Sequence, residues 1–484
     1  MLKFRRLDRN QPPHSRIRTI AARAVCTVCL VLSSVASAAD PPIEEPQIHD
    51  RRDWIDEKTL TTDDPRRIPR RPPEEMRQNE IALKGGRVFD SISGAARPAT
   101  VVIQGNKIKA VLPPDVSGWS AETRVVDVAG KTVMPGLIDM HVHMTYPNQD
   151  TPIDQRSSEG AGVLRGQRNL RYFLESGFTS VRDLNGIINA AYLLSEWSAA
   201  NAIPAPRVFT AGRIITGTGG HATGRTGPAY AHEADGADAW RAAVRDTFKR
   251  GASVIKIASH FSAAEVTAAV EEAHMLGLKI TCDCETIYTE MAVRAGVDMI
   301  EHPLPRTDAT IALMAKKEIA AVPTLQVYQS LLDRAGGYFG ATSRRFEMTS
   351  QANFDMFKKM KAAGIVMGVG SDTIGEANKF IPNVYIAELK WFVKGGYSIA
   401  EALQAATITN AKLLDMDDKL GSLQAGKLAD IIVVDGRPDE NLDDLSKVDL
   451  VMKDGLIVVE SGMVVIAPHE PRPLETPSPP DDIR

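Results

Sequence analysis

Val133-Met134-Pro135-Gly136-Leu137-Ile138-Asp139-Met140-His141-Val142-His143 is an apolar run that closes on a His-x-His tripeptide. Alternate residues of a strand point to one side, so the two imidazoles can share one metal ion at the strand's carboxyl end. The plain alternative is two histidines satisfied by ordinary hydrogen bonds, and the residues downstream weigh against it. A lysine stands in Ser253-Val254-Ile255-Lys256-Ile257, a histidine ends Val297-Asp298-Met299-Ile300-Glu301-His302, and an aspartate closes Ile365-Val366-Met367-Gly368-Val369-Gly370-Ser371-Asp372. Each sits where a barrel strand would hand over to its loop.

Around these residues, apolar strand-like runs alternate with helical stretches over about 280 residues, the pattern of an α/β protein built as a (β/α)8 barrel. Strand ends are expected near Met140, Arg182, Gly212, Ile257, Asp283, Glu301, Leu325 and Gly370. Between them, stretches such as Ala264 to Leu276 carry the helical apolar period. Residues 80–134 instead read as short β runs broken by Gly85-Gly86 and Gly105-Asn106, and the texture returns in 421–466. Two β segments flanking one block imply a small β-sandwich made from both ends of the chain, with the barrel over 135–420.

The remaining segments bury little. Residues 1–38 hold a basic stretch, the short apolar run Ala24 to Ala36 and the small-residue site Ala36-Ser37-Ala38, which reads as a cleaved signal peptide. An uncleaved anchor is the alternative. A periplasmic or secreted protein follows, with no stable membrane association after cleavage. Residues 39–79 and 467–484 are rich in proline and charge and are expected to be extended tails. A net charge of -4 gives no electrostatic reason to expect nucleic acid. Of four cysteines, Cys26 and Cys29 fall in the leader. Cys282 and Cys284 lie two apart on one expected strand, a placement poorly set for a disulfide, so none is expected.

The order of these motifs, with Pro135-Gly136-Leu137-Ile138-Asp139 before the histidines and Ala425-Gly426-Lys427-Leu428-Ala429-Asp430-Ile431-Ile432 near the end, resembles the amidohydrolase superfamily from about residue 80 to 466. Ser176-Gly177-Phe178-Thr179-Ser180-Val181-Arg182-Asp183 and Gly219-Gly220-His221 resemble its imidazolonepropionase-like and prolidase-like branch. That resemblance implies one or two divalent ions, zinc foremost, with His141, His143 and Asp372 on the first, His302 on the second and a carbamylated Lys256 bridging. It also implies amide hydrolysis by a metal-activated hydroxide, with Asp372 as proton shuttle and His221 holding the substrate carbonyl or carboxylate. Tyr328 and Arg225 are candidate pocket residues, and His260 stays undecided.

The chain departs from the superfamily on the fifth strand, where members carry a histidine and this one reads Leu278-Lys279-Ile280-Thr281-Cys282-Asp283-Cys284-Glu285-Thr286. Counting from Gly277 or from Glu285-Thr286 puts Asp283 in its place, whereas counting back from His302 puts Cys282 there. Asp283 is favoured, and either group can bind a divalent ion. The expected substrate is a small molecule, an N-acyl amino acid or a dipeptide-like amide. A cyclic amide or imide hydrolase and a noncatalytic relative with an impaired second site are the alternatives. A homo-oligomer is compatible with all three.

Overall fold

Every second residue of Ile431–Val434 faces the small β domain and every other one faces the barrel. Ile431 and Val433 join the cluster of Leu83, Val101, Ile103, Val133 and Met452, while Ile432 and Val434 join the large cluster around Phe173, Phe178 and Leu174. This period of two is the strand's own geometry, and it makes one strand serve two cores. The computed structural model describes residues 80–148, 150–223, 230–335, 338–339 and 346–465. The expected leader, both tails and Arg225 lie outside the described residues.

The β domain draws on both ends of the chain. Glu80–Lys84, Thr100–Gln104, Lys107–Leu112 and Arg124–Asp127 form one sheet. The other sheet has seven strands and sets Ile431–Val434 antiparallel to Thr132–Pro135, with Val433 opposite Val133. Gly136 then leads directly into the first barrel strand, Leu137–His143.

The barrel strands follow as Phe178–Asp183, Arg207–Thr210, Val254–Ala258, Lys279–Asp283, Met299–Glu301 and Ala320–Val322. An eighth segment, 365–370, closes the ring. Ala321 N–H donates to Val366 O at 3.0 Å on one side, and Met140 N–H donates to Val369 O at 3.0 Å on the other. The third and fourth strands meet where Ser253 N–H donates to Thr210 O at 3.0 Å. The expected (β/α)8 barrel with a β domain is therefore the fold. Its helices bury one stripe each. In Ala263–Met275, Val266, Ala269, Val270 and Ala273 face inward, and Ser262 with Glu265 forms the capping box that starts the helix.

Two expectations need correction. The seventh strand ends at Val322 rather than near Leu325, which instead opens the helix Leu325–Ala335. The cause is Glu388, on the helix Asn383–Lys394, whose carboxyl group accepts the N–H groups of Leu325 and Gln326 at 2.9 and 2.7 Å and so starts that helix. The second correction is that Cys282 and Cys284 are joined as a disulfide. The strand stops at Asp283, between the two cysteines, whose Cα atoms lie 5.4 Å apart, inside the range a bridge accepts.

Glu388 is fully buried, and burial pushes its carboxyl up to about 8 from 4.5. Its folded value lies above its unfolded one, so this stabilisation is present below 4.5 and lost as the pH rises through about 8. In Glu388→Gln, the fall of the thermal midpoint between about pH 5 and pH 8 should be shallower than in the wild type, as read by calorimetry.

Candidate metal centre

At the carboxyl ends of the barrel strands, a buried carboxylate, Asp283, and a half-buried one, Asp372, each face histidines. Asp372 Oδ1 lies 3.1 Å from His143 Nε2 and 3.6 Å from His141 Nε2, and its Oδ2 lies 3.7 Å from His302 Nδ1. Asp283 Oδ2 lies 3.3 Å from His302 Nε2 and 3.6 Å from His221 Nε2. Lys256 joins the two groups, its Nζ 3.3 Å from both Asp283 Oδ2 and His141 Nε2. Donor atoms of His141, His302 and Asp372 fall within 4.8 Å of one another, close enough to share a cation. A set of imidazole nitrogens and carboxylate oxygens suits zinc or a neighbouring divalent ion.

Strand geometry explains these positions. His141 and His143 are two apart on one strand and present both rings to the same side, centroids 5.2 Å apart. Asp139, buried beneath them, accepts the N–H groups of His141 and Ser371 at 3.0 and 2.9 Å, which ties the first strand to the segment carrying Asp372. Burial pushes the Asp139 carboxyl up to about 7. Gly370 allows the close approach, because a Cβ there would lie 2.8 Å from His141 Cβ. His302 and Asp372 hold left-handed backbone, φ 68° and 50°, at a cost of about 1–3 kcal/mol each. Surrounding bonds keep them there: Arg306 Nη2 donates to His302 O at 2.6 Å, and Asp372 N–H donates to His141 O at 2.7 Å.

Sequence reading gives no role to Glu301 and Arg182. Both are fully buried. Glu301 meets His141 Nδ1 at 2.8 Å and accepts from Arg182 Nη2 at 2.6 Å and from Thr281 Oγ1 at 2.5 Å. A carboxylate on Nδ1 leaves Nε2 for a metal and fixes the ring. Burial, followed by the charges of Lys256, His302, His143 and Arg182, holds the His141 pKa well below its ordinary value, so the ring is neutral. The available signal was a charged residue at or next to the last position of two strand runs, Met299–Glu301 and Phe178–Asp183.

The other candidates divide. The Asp283 carboxylate reaches the centre, whereas the Cys282 sulfur is bonded to Cys284 within the apolar core. His221 lies on the loop beyond the third strand, its side chain 22% exposed. Tyr328 is on the helix Leu325–Ala335, buried, with its ring 5.0 Å from that of His302. His260 is half-buried, its ring 5.5 Å from that of Tyr288. A cavity of about 350 Å³ at the opposite end of the barrel, lined by Lys279, Asp298 and Lys317, stands apart from this chemistry.

The family model for the amidohydrolase family matches residues 132–458, well over half of the chain. The chain belongs to the amidohydrolase family. Membership makes this amidohydrolase a metal-dependent hydrolase acting on carbon–nitrogen bonds. It is similar to the ochratoxinase of Aspergillus niger, 26% identical over 64% of this chain and 71% of that protein. It is also similar to the imidazolonepropionase of Bdellovibrio bacteriovorus, 23% identical over 74% of this chain and 88% of that one. Among solved structures it resembles a Xaa-Pro dipeptidase with bound methionine in its active site. That match has 28% identity and a TM-score of 0.70, covering 78% of this chain and 99% of that one. Among the described residues no helix is long and apolar enough to cross a membrane.

Glu301→Gln removes the charge that holds His141 while keeping the shape of the side chain. Metal affinity should fall about 10–100-fold, measured by competition with a chromophoric chelator on protein whose circular dichroism is unchanged.

Proposed function

We propose that this amidohydrolase cleaves the amide bond of an N-acyl amino acid or dipeptide-like substrate, using two divalent ions, zinc foremost. The observation that carries the reading is the Lys256 amine, set 3.3 Å from a group of each cluster. His141, His143 and Asp372 would hold one ion and His302 with Asp283 the other. Lys256, once its neutral amine has added carbon dioxide and released a proton, would as a carbamate help to hold both ions. When bound, the ions supply Lewis acidity, which makes water a nucleophile near neutral pH and polarises an amide carbonyl.

The chain's own groups move the protons. Burial alone would push the Asp372 carboxyl up, but in the metal-free chain its bond to His143 and the charges of His302, His143 and Lys256 outweigh burial and hold it below the usual range, and bound cations would favour the same ionised form once Lys256 is a carbamate. It is therefore ionised and ready to take a proton from the attacking water and pass it to the departing nitrogen. His221, partly exposed and 3.6 Å from Asp283 Oδ2, would hydrogen-bond the substrate's carbonyl or carboxylate. The similarity to a Xaa-Pro dipeptidase supports an acyclic amide.

The first measurement is metals per chain by mass spectrometry, for the wild type, Asp283→His and Asp283→Ala. Close to two ions are expected in the first two proteins and close to one in Asp283→Ala. One ion or none in the wild type, rising with the histidine, would remove the two-ion reading. Against a panel of N-acyl amino acids, Xaa-Pro dipeptides and a cyclic imide, Asp372→Asn should lose at least about 100-fold in kcat. Turnover confined to the cyclic imide would overturn the acyclic reading.

We also propose that the enzyme acts outside the cytoplasm. The support is the leader-like composition of residues 1–38 and a disulfide, which suits an oxidising compartment. Amino-terminal sequencing of the exported protein should begin at Ala39, and an intact Met1 terminus would count against export by cleavage.

A further inference from the structure

One side of the site carries apolar residues that the proposed reaction does not use. Tyr146 follows the first barrel strand, its ring centroid 5.2 Å from that of His143 and 4.5 Å from that of Tyr230. Ile188 and Ala222, from the loops beyond the second and third strands, pack into the same apolar cluster as Tyr146 and Tyr230. Tyr146, Ile188 and Ala222 are all only half-buried, so the cluster keeps an accessible edge. That edge is flanked by His143 through Tyr146 and by His221 through its chain neighbour Ala222.

Its backbone is unusual. Ile188 and Ala222 hold φ of 45° and 67°, a left-handed conformation that costs a side chain energy and a β-branched one most. Glycine would relieve the strain at both positions, yet the chain keeps an apolar group at each.

The wall also has one directed polar atom. Ile214 N–H donates to Asn185 Oδ1 at 3.4 Å, which orients the amide so that its Nδ2 donates to Tyr146 Oη at 2.7 Å. The Tyr146 oxygen is thus an acceptor in that bond, and its own proton is left to donate elsewhere. The Asn185 carbonyl meets His143 Nδ1 at 3.3 Å, so a single residue orients both the histidine and the tyrosine.

We infer that Tyr146, Ile188 and Ala222 form a subsite for an apolar group flanking the scissile amide, with the Tyr146 hydroxyl donating to a substrate oxygen at its rim. The inference rests on the amide-hydrolase reading and adds the class of substituent that the enzyme selects.

The test compares N-benzoyl-phenylalanine with N-acetyl-glycine on the metal-loaded enzyme. The wild type should favour the apolar substrate by at least about 10-fold in kcat/KM. Ile188→Glu should bring that ratio close to one, chiefly through KM for the apolar substrate. Ala222→Gln, on a different loop, is an independent probe should Ile188→Glu not fold. Tyr146→Phe keeps the wall and removes the donor, so the preference should persist while kcat/KM falls for both substrates.

An equal ratio in the wild type, or an unchanged ratio in both wall variants, would overturn the subsite and leave the amide-hydrolase reading standing. If neither amide is hydrolysed, the amide-hydrolase reading is judged on the wider panel above, and the subsite by calorimetric binding of N-benzoyl-phenylalanine. About a 10-fold weaker Kd in Ile188→Glu would support the subsite, and equal Kd values would overturn it.

Discussion

The Glu301 carboxylate is shared by residues of four barrel strands. It accepts from Arg182 on the second and Thr281 on the fifth, meets His141 on the first, and itself ends the sixth. All of this lies out of water, where an unpaired charge would cost several kcal/mol and where truncating one partner of a pair costs about 3–5 kcal/mol. Each partner is therefore obliged to be present for the others to stay buried. The arrangement links the barrel's interior to its chemistry, because the same carboxylate that satisfies Arg182 sets the tautomer of His141. Arg182 in turn donates to Met140 O at 2.6 Å, on the residue before that histidine.

Above this layer the chain accepts strain to aim its ligands. His302 and Asp372 take up backbone conformations that favour glycine, and each is held by a bond to a neighbouring strand or loop. Asp139 does the same work from below, with its two accepted N–H bonds fixing the distance between the strand of the paired histidines and the segment of Asp372. Ile188 and Ala222, on the loops beyond the second and third strands, are also non-glycine residues in left-handed conformations.

Much of the fold was legible because it follows from periodicity. Alternation of apolar runs and helical stretches marks the barrel, and the β texture at residues 80–134 and 421–466 marks a domain drawn from two places in the chain. Ile431–Val434, uniformly apolar, shows what periodicity leaves open, since its two faces serve different cores. The seventh strand was read too long because Leu325-Gln326-Val327-Tyr328 is apolar enough for either state. The deciding group, Glu388, lies some sixty residues away.

The sequence by itself determined which residue types stand at strand ends, because that depends only on position along the chain: His141, His143, Lys256, Asp283, His302 and Asp372 were all readable as candidates. What it left open was settled in three dimensions. At the end of the fifth strand the Asp283 carboxylate faces His302 and His221 while the Cys282 sulfur meets that of Cys284, an arrangement that no spacing rule anticipates. Glu301 and Arg182 were hidden for the same reason. A buried charge is permitted only by the partners that surround it, and those partners come from strands far apart in sequence.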